Sequence, residues 1–188
     1  MSTYPYDPRS KLKHVHSALK QKFAGKKLIF GQGLIGSKIV FVTEIPGPDE
    51  DRDNKPIAGD SEKYLNKLLR TLGIDKRKVY ITNVVKYFPS NHLMTAKEIK
   101  AHLPFLKEEI KTVGPHIVVT LGNSALNGIG MRQPLDNIHG RIFNLGSYEL
   151  LPTFHPRHAL KDDQIKTHLE ADFAKLEILL KKPTPEAI

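Results

Sequence analysis

Short β-branched runs alternate with helix-spaced segments along this chain, and that alternation limits its fold more than any other feature. Residues 38–43, 79–85 and 116–121 are predicted as buried strands because they are short and rich in valine, isoleucine and threonine. Residues 61–72 and 95–113 carry apolar side chains at helical spacing. Strands that alternate with helices are typical of α/β proteins. We therefore predict a single-domain three-layer α/β/α sandwich with a central, mostly parallel sheet.

The remaining segments extend this plan. A helix is predicted over residues 11–23, two strands flank a Gly146-Ser147 turn, and an amphipathic helix closes the domain over residues 165–180. Residues 47–60 are predicted as an acidic loop that is too long for a simple connection. We expect residues 1–10 to form a flexible basic tail, residues 11–182 the domain, and residues 183–188 a C-terminal tail.

The charge of the chain points to a polyanionic partner. Its 29 lysines and arginines exceed its 20 aspartates and glutamates by 9. Residues 1–30 hold one acid, Asp7, and seven basic side chains: Arg9, Lys11, Lys13, Lys20, Lys22, Lys26 and Lys27. Basic clustering of this kind is typical of nucleic-acid binding, although a solvated lysine-rich helix face has the same composition.

Other compositional features exclude several classes of protein. No apolar run approaches the roughly 18–20 residues that span a membrane, and residues 1–10 have no signal-peptide core. The chain is therefore expected to be intracellular. It contains no cysteine, which excludes disulfides, thiolate zinc sites and cysteine-ligated iron–sulfur clusters.

Polar residues end or interrupt three of the predicted strands. Glu44 follows the first strand, Asn83 lies within the second, and His155 precedes Pro156 where the last strand must stop. Doubly wound sheets bind ligands at the carboxyl ends of their strands. A buried asparagine side chain needs a partner, and it could read a base edge with one donor and one acceptor. We expect these three residues to form an active site.

Three other patterns carry less weight. Residues 31–36 (GQGLIG) match the dinucleotide-binding pattern, but a strand follows them where a helix is required, so we interpret them as a turn between strands. The pairs His14/His16 and His155/His158 lack a third metal ligand nearby. The acids of residues 44–53 do not have EF-hand spacing. We predict no metal site.

Five blocks in order resemble the uracil-DNA glycosylase superfamily, and in particular its family-four type from bacteria and archaea. They are TEIPGPDED (43–51), KPIAG (55–59), YITNVVK (80–86), VTLG (119–122) and PTFHP (152–156). The similarity covers roughly residues 12–180. It implies a uracil-DNA glycosylase-like domain whose partner is uracil-containing DNA, acting as a monomer in the cytoplasm, at the nucleoid in a prokaryote.

The resemblance implies a role for each matching residue. Glu44 matches the glutamate beside the scissile bond, and Glu50 matches a second acidic position of the same loop. His155 matches the histidine that stabilises the departing base. Asn83 matches the uracil-binding asparagine, and Asn91 a further asparagine near the site. The remaining matches are Ile45, Gly47 and Ile57 for the substrate pocket, with Ser124, Arg157, Leu160 and Lys161 for DNA contact, Leu160 being the wedge.

The implied chemistry begins with flipping of the nucleotide from the duplex. Asn83 would select uracil over cytosine, His155 would donate near uracil O2, and Glu44 or Glu50 would orient water toward C1′. No metal or cofactor is required for these steps.

The chain also departs from the family pattern. The family usually carries four cysteines for a [4Fe–4S] cluster, and Tyr87 and His102 stand where two of them would be. Thr43 replaces a glycine, Ile45 is bulky, and Ile57 replaces a stacking phenylalanine. Two alternatives follow from these departures: a glycosylase for another deaminated base such as hypoxanthine or xanthine, and a catalytically weak DNA-binding homologue.

Overall fold

The computed structural model describes residues 7–91 and 93–182. In this part of the chain the strands are β1 (Gln32–Gly33), β2 (Ile39–Thr43), β3 (Tyr80–Asn83), β4 (Ile117–Leu121), β5 (Phe143–Asn144) and β6 (Glu149–Thr153). The helices are α1 (Pro8–Lys22), α2 (Pro48–Asp53), α3 (Gly59–Thr71), α4 (Ala96–Val113), α5 (Asn123–Gly128), α6 (Leu135–Ile138), α7 (Pro156–Ala159) and α8 (Asp163–Lys181).

The strands form one mixed sheet in the order β1-β3-β2-β4-β6-β5. The four central strands β3, β2, β4 and β6 are parallel, whereas the two short edge strands pair antiparallel. The predicted mostly parallel sheet is confirmed. Because the central strands are parallel, their carboxyl ends lie along one edge of the sheet.

Helices cover both faces of the sheet, which confirms the three-layer prediction. Successive residues of β2 point to opposite sides, so Val40 and Val42 join one hydrophobic core while Ile39 and Phe41 join the other. The first core contains residues of α1, α4, α5 and α6, and the second contains residues of α3 and α8. Burial on both faces explains why β2 is apolar from Ile39 to Val42.

Several predicted boundaries were wrong. Helix α1 begins at Pro8 rather than residue 11, because the Asp7 side chain accepts a hydrogen bond from the Arg9 N–H and caps it. The segment predicted as a loop contains α2, and α3 begins at Gly59 rather than at residue 61. Residues 1–6 of the predicted N-terminal tail and residues 183–188 of the predicted C-terminal tail lie outside the described residues.

The helix predicted over residues 95–113 is confirmed with its N-terminal cap. The Thr95 hydroxyl accepts from the Glu98 N–H at 3.2 Å, and the Glu98 carboxylate accepts from the Thr95 N–H at 2.8 Å. This reciprocal pair is the capping box that the sequence predicts. Within the part of the chain that the structure describes, no helix is both long and apolar enough to cross a bilayer.

Aromatic rings surround Tyr87 and His102, the two residues that the family resemblance matches to cluster cysteines. Phe23 stacks on His102 with ring centroids 4.0 Å apart, and Tyr87 tilts against His102 at 5.4 Å. Tyr87 and His102 are both buried. An imidazole and a phenol that pack against rings do not offer the thiolates that an iron–sulfur cluster needs. The residues present therefore do not fit that cluster.

A buried ion pair lies in the same layer. The Lys86 ammonium contacts the Glu109 carboxylate, and each side chain is only 1% exposed. The hydroxyls of Tyr80 and Thr82 donate to the two Glu109 oxygens at 2.8 and 2.9 Å. The pair therefore connects β3 and the segment after it to helix α4.

Buried histidines make the stability of the fold depend on pH. Burial lowers the pKa of His16 and His102 below the ordinary value of 6.5. The unfolded chain then binds more protons than the folded chain, so acid favours unfolding. We expect the free energy of unfolding to fall as the pH drops below about 6.5, as measured by urea unfolding at pH 7.5 and 5.5.

A matched variant tests the source of this dependence. His102→Phe preserves stacking on Phe23 and removes one titrating ring, so its unfolding should depend less on pH than that of the wild type. Equal unfolding midpoints for the wild type at both pH values would contradict the prediction.

Candidate active site

The candidate site lies at the carboxyl edge of the parallel strands. In the strand registers Thr43 is opposite Asn83 and Leu121 is opposite Thr153. Glu44 follows β2, Asn83 ends β3, and His155 follows β6 after one residue. The sheet therefore brings these three predicted residues to the same edge, where an α/β sheet presents its ligand crevice.

Asn83 is held by its amide nitrogen. Its Nδ2 donates to the Thr43 hydroxyl at 2.5 Å and to the Pro56 carbonyl at 2.8 Å. Its Oδ1 is buried and has no hydrogen-bond partner among the described residues. Both amide hydrogens therefore already have partners. In this arrangement Asn83 cannot offer a base edge both a donor and an acceptor, contrary to the expectation from the sequence. Only an acceptor remains for a ligand.

His155 is a buried neutral imidazole. It is 6% exposed, and burial, followed by the nearby positive charges of Arg157 and His158, lowers its pKa well below the ordinary value. The Arg157 N–H donates to its Nδ1 at 3.1 Å. Because Nδ1 accepts, the single proton of the neutral ring resides on Nε2. His155 can therefore donate a hydrogen bond from Nε2.

Glu44 is held by a donor at each oxygen. Its Oε1 accepts from the Ser124 N–H at 3.1 Å, and its Oε2 accepts from Arg157 Nη2 at 2.6 Å. The Glu44 side chain is 13% exposed. Gly122 packs so closely on this carboxylate that an added Cβ would collide with it, and its φ of +102° also favours glycine. The site thus contains an oriented carboxylate that water can still reach.

The Glu50 carboxylate is held by two backbone N–H groups. Its Oε2 accepts from the Gly47 N–H and its Oε1 from the Ala58 N–H, both at 2.9 Å. The carboxylate thus ties the start of α2 to the segment that carries Pro56 and Ile57. Glu50 therefore holds the loop, whereas Glu44 follows β2 directly and lies with Asn83 and His155 at the carboxyl edge of the sheet.

The predicted pocket residues occupy different environments. Ile57 is 3% exposed and packs in the core with residues of α3. Ile45 is half-buried against the opposite core. Gly47 precedes α2 and donates to Glu50. The side chain of Ile57 therefore contributes chiefly to the core, while its neighbour Pro56 contacts Asn83 directly.

The remaining predicted residues lie on the surface near the strand ends or in a separate loop. Leu160 is 50% exposed at the end of α7, and Lys161 beside it is also exposed. Ser124 contributes its backbone N–H to Glu44, and Arg157 contributes its side chain to the same group. Asn91 is exposed and accepts from the Leu93 N–H of its own loop. No hydrogen bond of the described residues joins Asn91 to Glu44, Asn83 or His155.

Sequence reasoning missed the contacts that orient the site. Thr43 and Pro56, which were not among the predicted site residues, fix Asn83, and Arg157, which was predicted to contact DNA, fixes Glu44. The hydroxyl of Thr43 gave a partial signal, because a polar residue that ends a buried strand usually has a hydrogen-bond partner. The pairing of Arg157 with Glu44 has no local sequence signal, since 113 residues separate them.

The candidate site includes no cluster of metal ligands among the described residues, and it is separate from the cavity at the opposite edge of the sheet. The described residues contain no group of three or more histidine, cysteine, aspartate or glutamate side chains that could hold a metal ion. A cavity of about 1050 Å³ opens at the amino ends of the strands, near Lys38, His116 and Glu149. None of the predicted site residues lines this cavity.

The comparisons with known proteins indicate one protein family. A model of the Uracil DNA glycosylase superfamily matches residues 30–177. A type-4 uracil-DNA glycosylase of Saccharolobus solfataricus is 34% identical over 170 residues, covering 84% of this chain and 79% of that protein. The Thermotoga maritima enzyme of the same name is 34% identical, covering 82% and 84%. That of Sulfurisphaera tokodaii is 32% identical, covering 81% and 74%.

Proposed function

This chain belongs to the uracil DNA glycosylase superfamily, and from that premise we propose that it flips uracil out of DNA and hydrolyses its N-glycosidic bond, leaving an abasic site. The chain is a DNA glycosylase, a hydrolase of N-glycosyl bonds. Its proposed place is base excision repair. Its proposed partner is uracil-containing DNA, and one copy of the chain supplies all of the groups used below.

The unpaired Oδ1 of Asn83 is the observation that carries the proposal. A buried acceptor without a partner costs about 1–3 kcal/mol, so its presence at the carboxyl edge of the sheet favours a ligand that donates to it. Uracil has a donor at N3–H, whereas cytosine has a lone pair at N3 and would face Oδ1 with an acceptor. We infer that Asn83 selects uracil at N3 with a single hydrogen bond.

His155 is proposed to stabilise the departing base. When the bond from C1′ to the base nitrogen breaks, its electron pair moves onto the uracil ring, and negative charge develops at O2. A neutral imidazole with its proton on Nε2 can donate to O2 without first losing or gaining a proton. Preorganised donors of this type stabilise charge that appears only in the transition state.

Glu44 is proposed to act on the sugar side of the bond. Its negative charge stabilises the positive charge that develops on the deoxyribose, and its carboxylate orients a water molecule toward C1′. As the bond from C1′ to the base nitrogen breaks, the water oxygen bonds to C1′ and one water proton passes to the carboxylate. Uracil leaves as an anion and takes up a proton from solvent, while Glu44 returns its proton to solvent. The products are free uracil and an abasic sugar, and water is the only co-reactant.

The surface around the crevice is suited to DNA. We propose that exposed Leu160 enters the space left by the flipped nucleotide, and that Lys161 and the exposed lysines of α1 contact phosphates. Ser124 lies at the same edge of the sheet and is proposed to approach the DNA backbone.

Cleavage of defined oligonucleotides tests the proposed function. The purified protein is incubated with an end-labelled strand containing one uracil, treated with alkali and separated on a denaturing gel. We expect a band at the uracil position and none with thymine or cytosine there. An intact uracil strand would contradict the proposal.

The same assay separates the alternative functions. Hypoxanthine carries a ring N–H next to a carbonyl, as uracil does, and could therefore satisfy the Asn83 acceptor. Release of hypoxanthine or xanthine in preference to uracil would change the substrate while keeping the enzyme class. Salt-sensitive DNA binding without release of any base would identify a binding homologue.

Asn83→Ala should slow single-turnover uracil release about tenfold or more, because the base loses its acceptor. The substitution also removes the partner of Thr43 and Pro56, so some loss of stability is expected. Thr43→Val is the matched control, since it perturbs the same anchor but keeps Oδ1. Equal rates for Asn83→Ala and the wild type would refute the role of Asn83.

A further inference from the structure

Arg157 contacts both groups that the proposed function uses. Its backbone N–H donates to His155 Nδ1 at 3.1 Å, and its guanidinium donates to Glu44 Oε2 at 2.6 Å. We propose that Arg157 is a positioning residue that acts through Glu44, rather than a contact to a DNA phosphate. The inference rests on the proposed function of Glu44 and adds a second role for the segment that follows His155.

The carboxylate geometry explains why Glu44 needs this partner. Each Glu44 oxygen has one donor, the Ser124 N–H on one side and Arg157 on the other. Two donors from separate elements fix the plane of the carboxylate, whereas one donor would leave it free to rotate. Charge-assisted hydrogen bonds to arginine are short and directional, as the 2.6 Å distance illustrates.

The burial of Arg157 also favours a role within the protein. Its side chain is 41% exposed, yet its Nε is buried and has no hydrogen-bond partner among the described residues. The guanidinium therefore lies partly beneath the surface with one edge toward Glu44. An arginine that serves mainly to bind phosphate would extend its donors into solvent, since that is where a DNA backbone passes.

The two roles predict different kinetics. A phosphate contact contributes to binding before and during the reaction, so its loss raises KM and weakens the salt dependence by about one counterion. Loss of a residue that orients the carboxylate lowers the rate at saturating DNA and leaves the salt dependence unchanged. The effect of such a residue also depends on whether its carboxylate partner is present.

A double-mutant cycle with single-turnover uracil release tests this inference. Arg157→Ala is expected to lower the rate at saturating DNA about ten- to a hundredfold, because it removes a charge-assisted hydrogen bond. In a Glu44→Gln background the same substitution should change the rate by less than about threefold. Arg157→Gln repeats the comparison if the alanine variant is unstable.

The control is Arg70→Ala, which removes an exposed arginine of α3 and the same charge. It should leave the rate at saturating DNA unchanged. A higher KM with an unchanged rate for Arg157→Ala, or an equal loss in both backgrounds, would overturn the inference alone. A wild-type protein that releases no uracil would overturn the proposed function, and this inference with it.

Discussion

Replacing His155 with alanine is expected to slow uracil release by about two to three orders of magnitude while the fold remains intact. Removal of one preorganised donor to a developing oxyanion has effects of this size in other enzymes. His155 lies after β6 rather than within it, and the hydrogen bond that it accepts comes from the start of the short helix α7. Single-turnover rates at saturating DNA measure the loss, and circular dichroism measures the fold.

Two neighbouring results would make the assignment specific. His158→Ala removes the adjacent exposed imidazole and should retain most activity. Because burial lowers the pKa of His155, its neutral form persists below pH 6.5, and the rate of the wild type should not rise as the pH is lowered from 7.5 to 6.5. A rate for His155→Ala within twofold of the wild type would remove His155 from the mechanism.

Replacing Glu109 with glutamine is expected to lower the free energy of unfolding by roughly 3–5 kcal/mol. The substitution leaves the Lys86 ammonium buried without a counter-charge, and this is the condition under which breaking a buried ion pair is most costly. The effect is independent of catalysis, since the pair lies in the layer between the sheet and α4. Urea unfolding monitored by circular dichroism measures it.

The adjacent residue of the same helix supplies the control. Glu108 is exposed, so Glu108→Gln should change the free energy of unfolding by less than about 0.5 kcal/mol. The double variant Lys86→Met with Glu109→Leu should recover part of the loss, because neither charge then remains buried. Recovery should be incomplete, since the hydroxyls of Tyr80 and Thr82 lose their acceptor. Equal stabilities for the two glutamine variants would contradict the prediction.

The features of the fold that could be predicted are those that a local sequence pattern indicates. The strands of the central sheet could be recognised as short apolar runs. The cap formed by Thr95 and Glu98 could be recognised because the two residues are three positions apart. Helix α2 could not be found in this way because it is six residues long and buries none of them. Its apolar stripe is missing, and only Glu50, three residues after Gly47, hinted at its start.

The candidate site was predictable to the level of strand ends but not to the level of contacts. Parallel strands bring Glu44, Asn83 and His155 to one edge, and the sequence order of the strands is enough to expect this. The hydrogen bonds that orient Glu44 and Asn83 join residues 27 to 113 positions apart. Such pairings depend on strand register and helix placement, which no local pattern specifies.

The buried ion pair could not be predicted for the same reason. Lys86 follows an apolar run, and Glu109 lies among the charged residues of a helix. Each is expected at the surface, because lysine and glutamate are seldom fully buried in proteins. Their burial follows from the way α4 crosses the sheet. Only the tertiary structure shows that the two charges meet, and that Tyr80 and Thr82 complete their hydrogen bonding.

The ring cluster of Phe23, Tyr87 and His102 has a consequence for the conditions under which the chain can work. Its assembly needs no iron delivery and no sulfur donor, because ordinary side chains fill the region during folding. Without cysteine the chain also offers no thiol to peroxide or nitric oxide. The folded state of this protein therefore depends neither on the supply of iron nor on the redox state of a thiol.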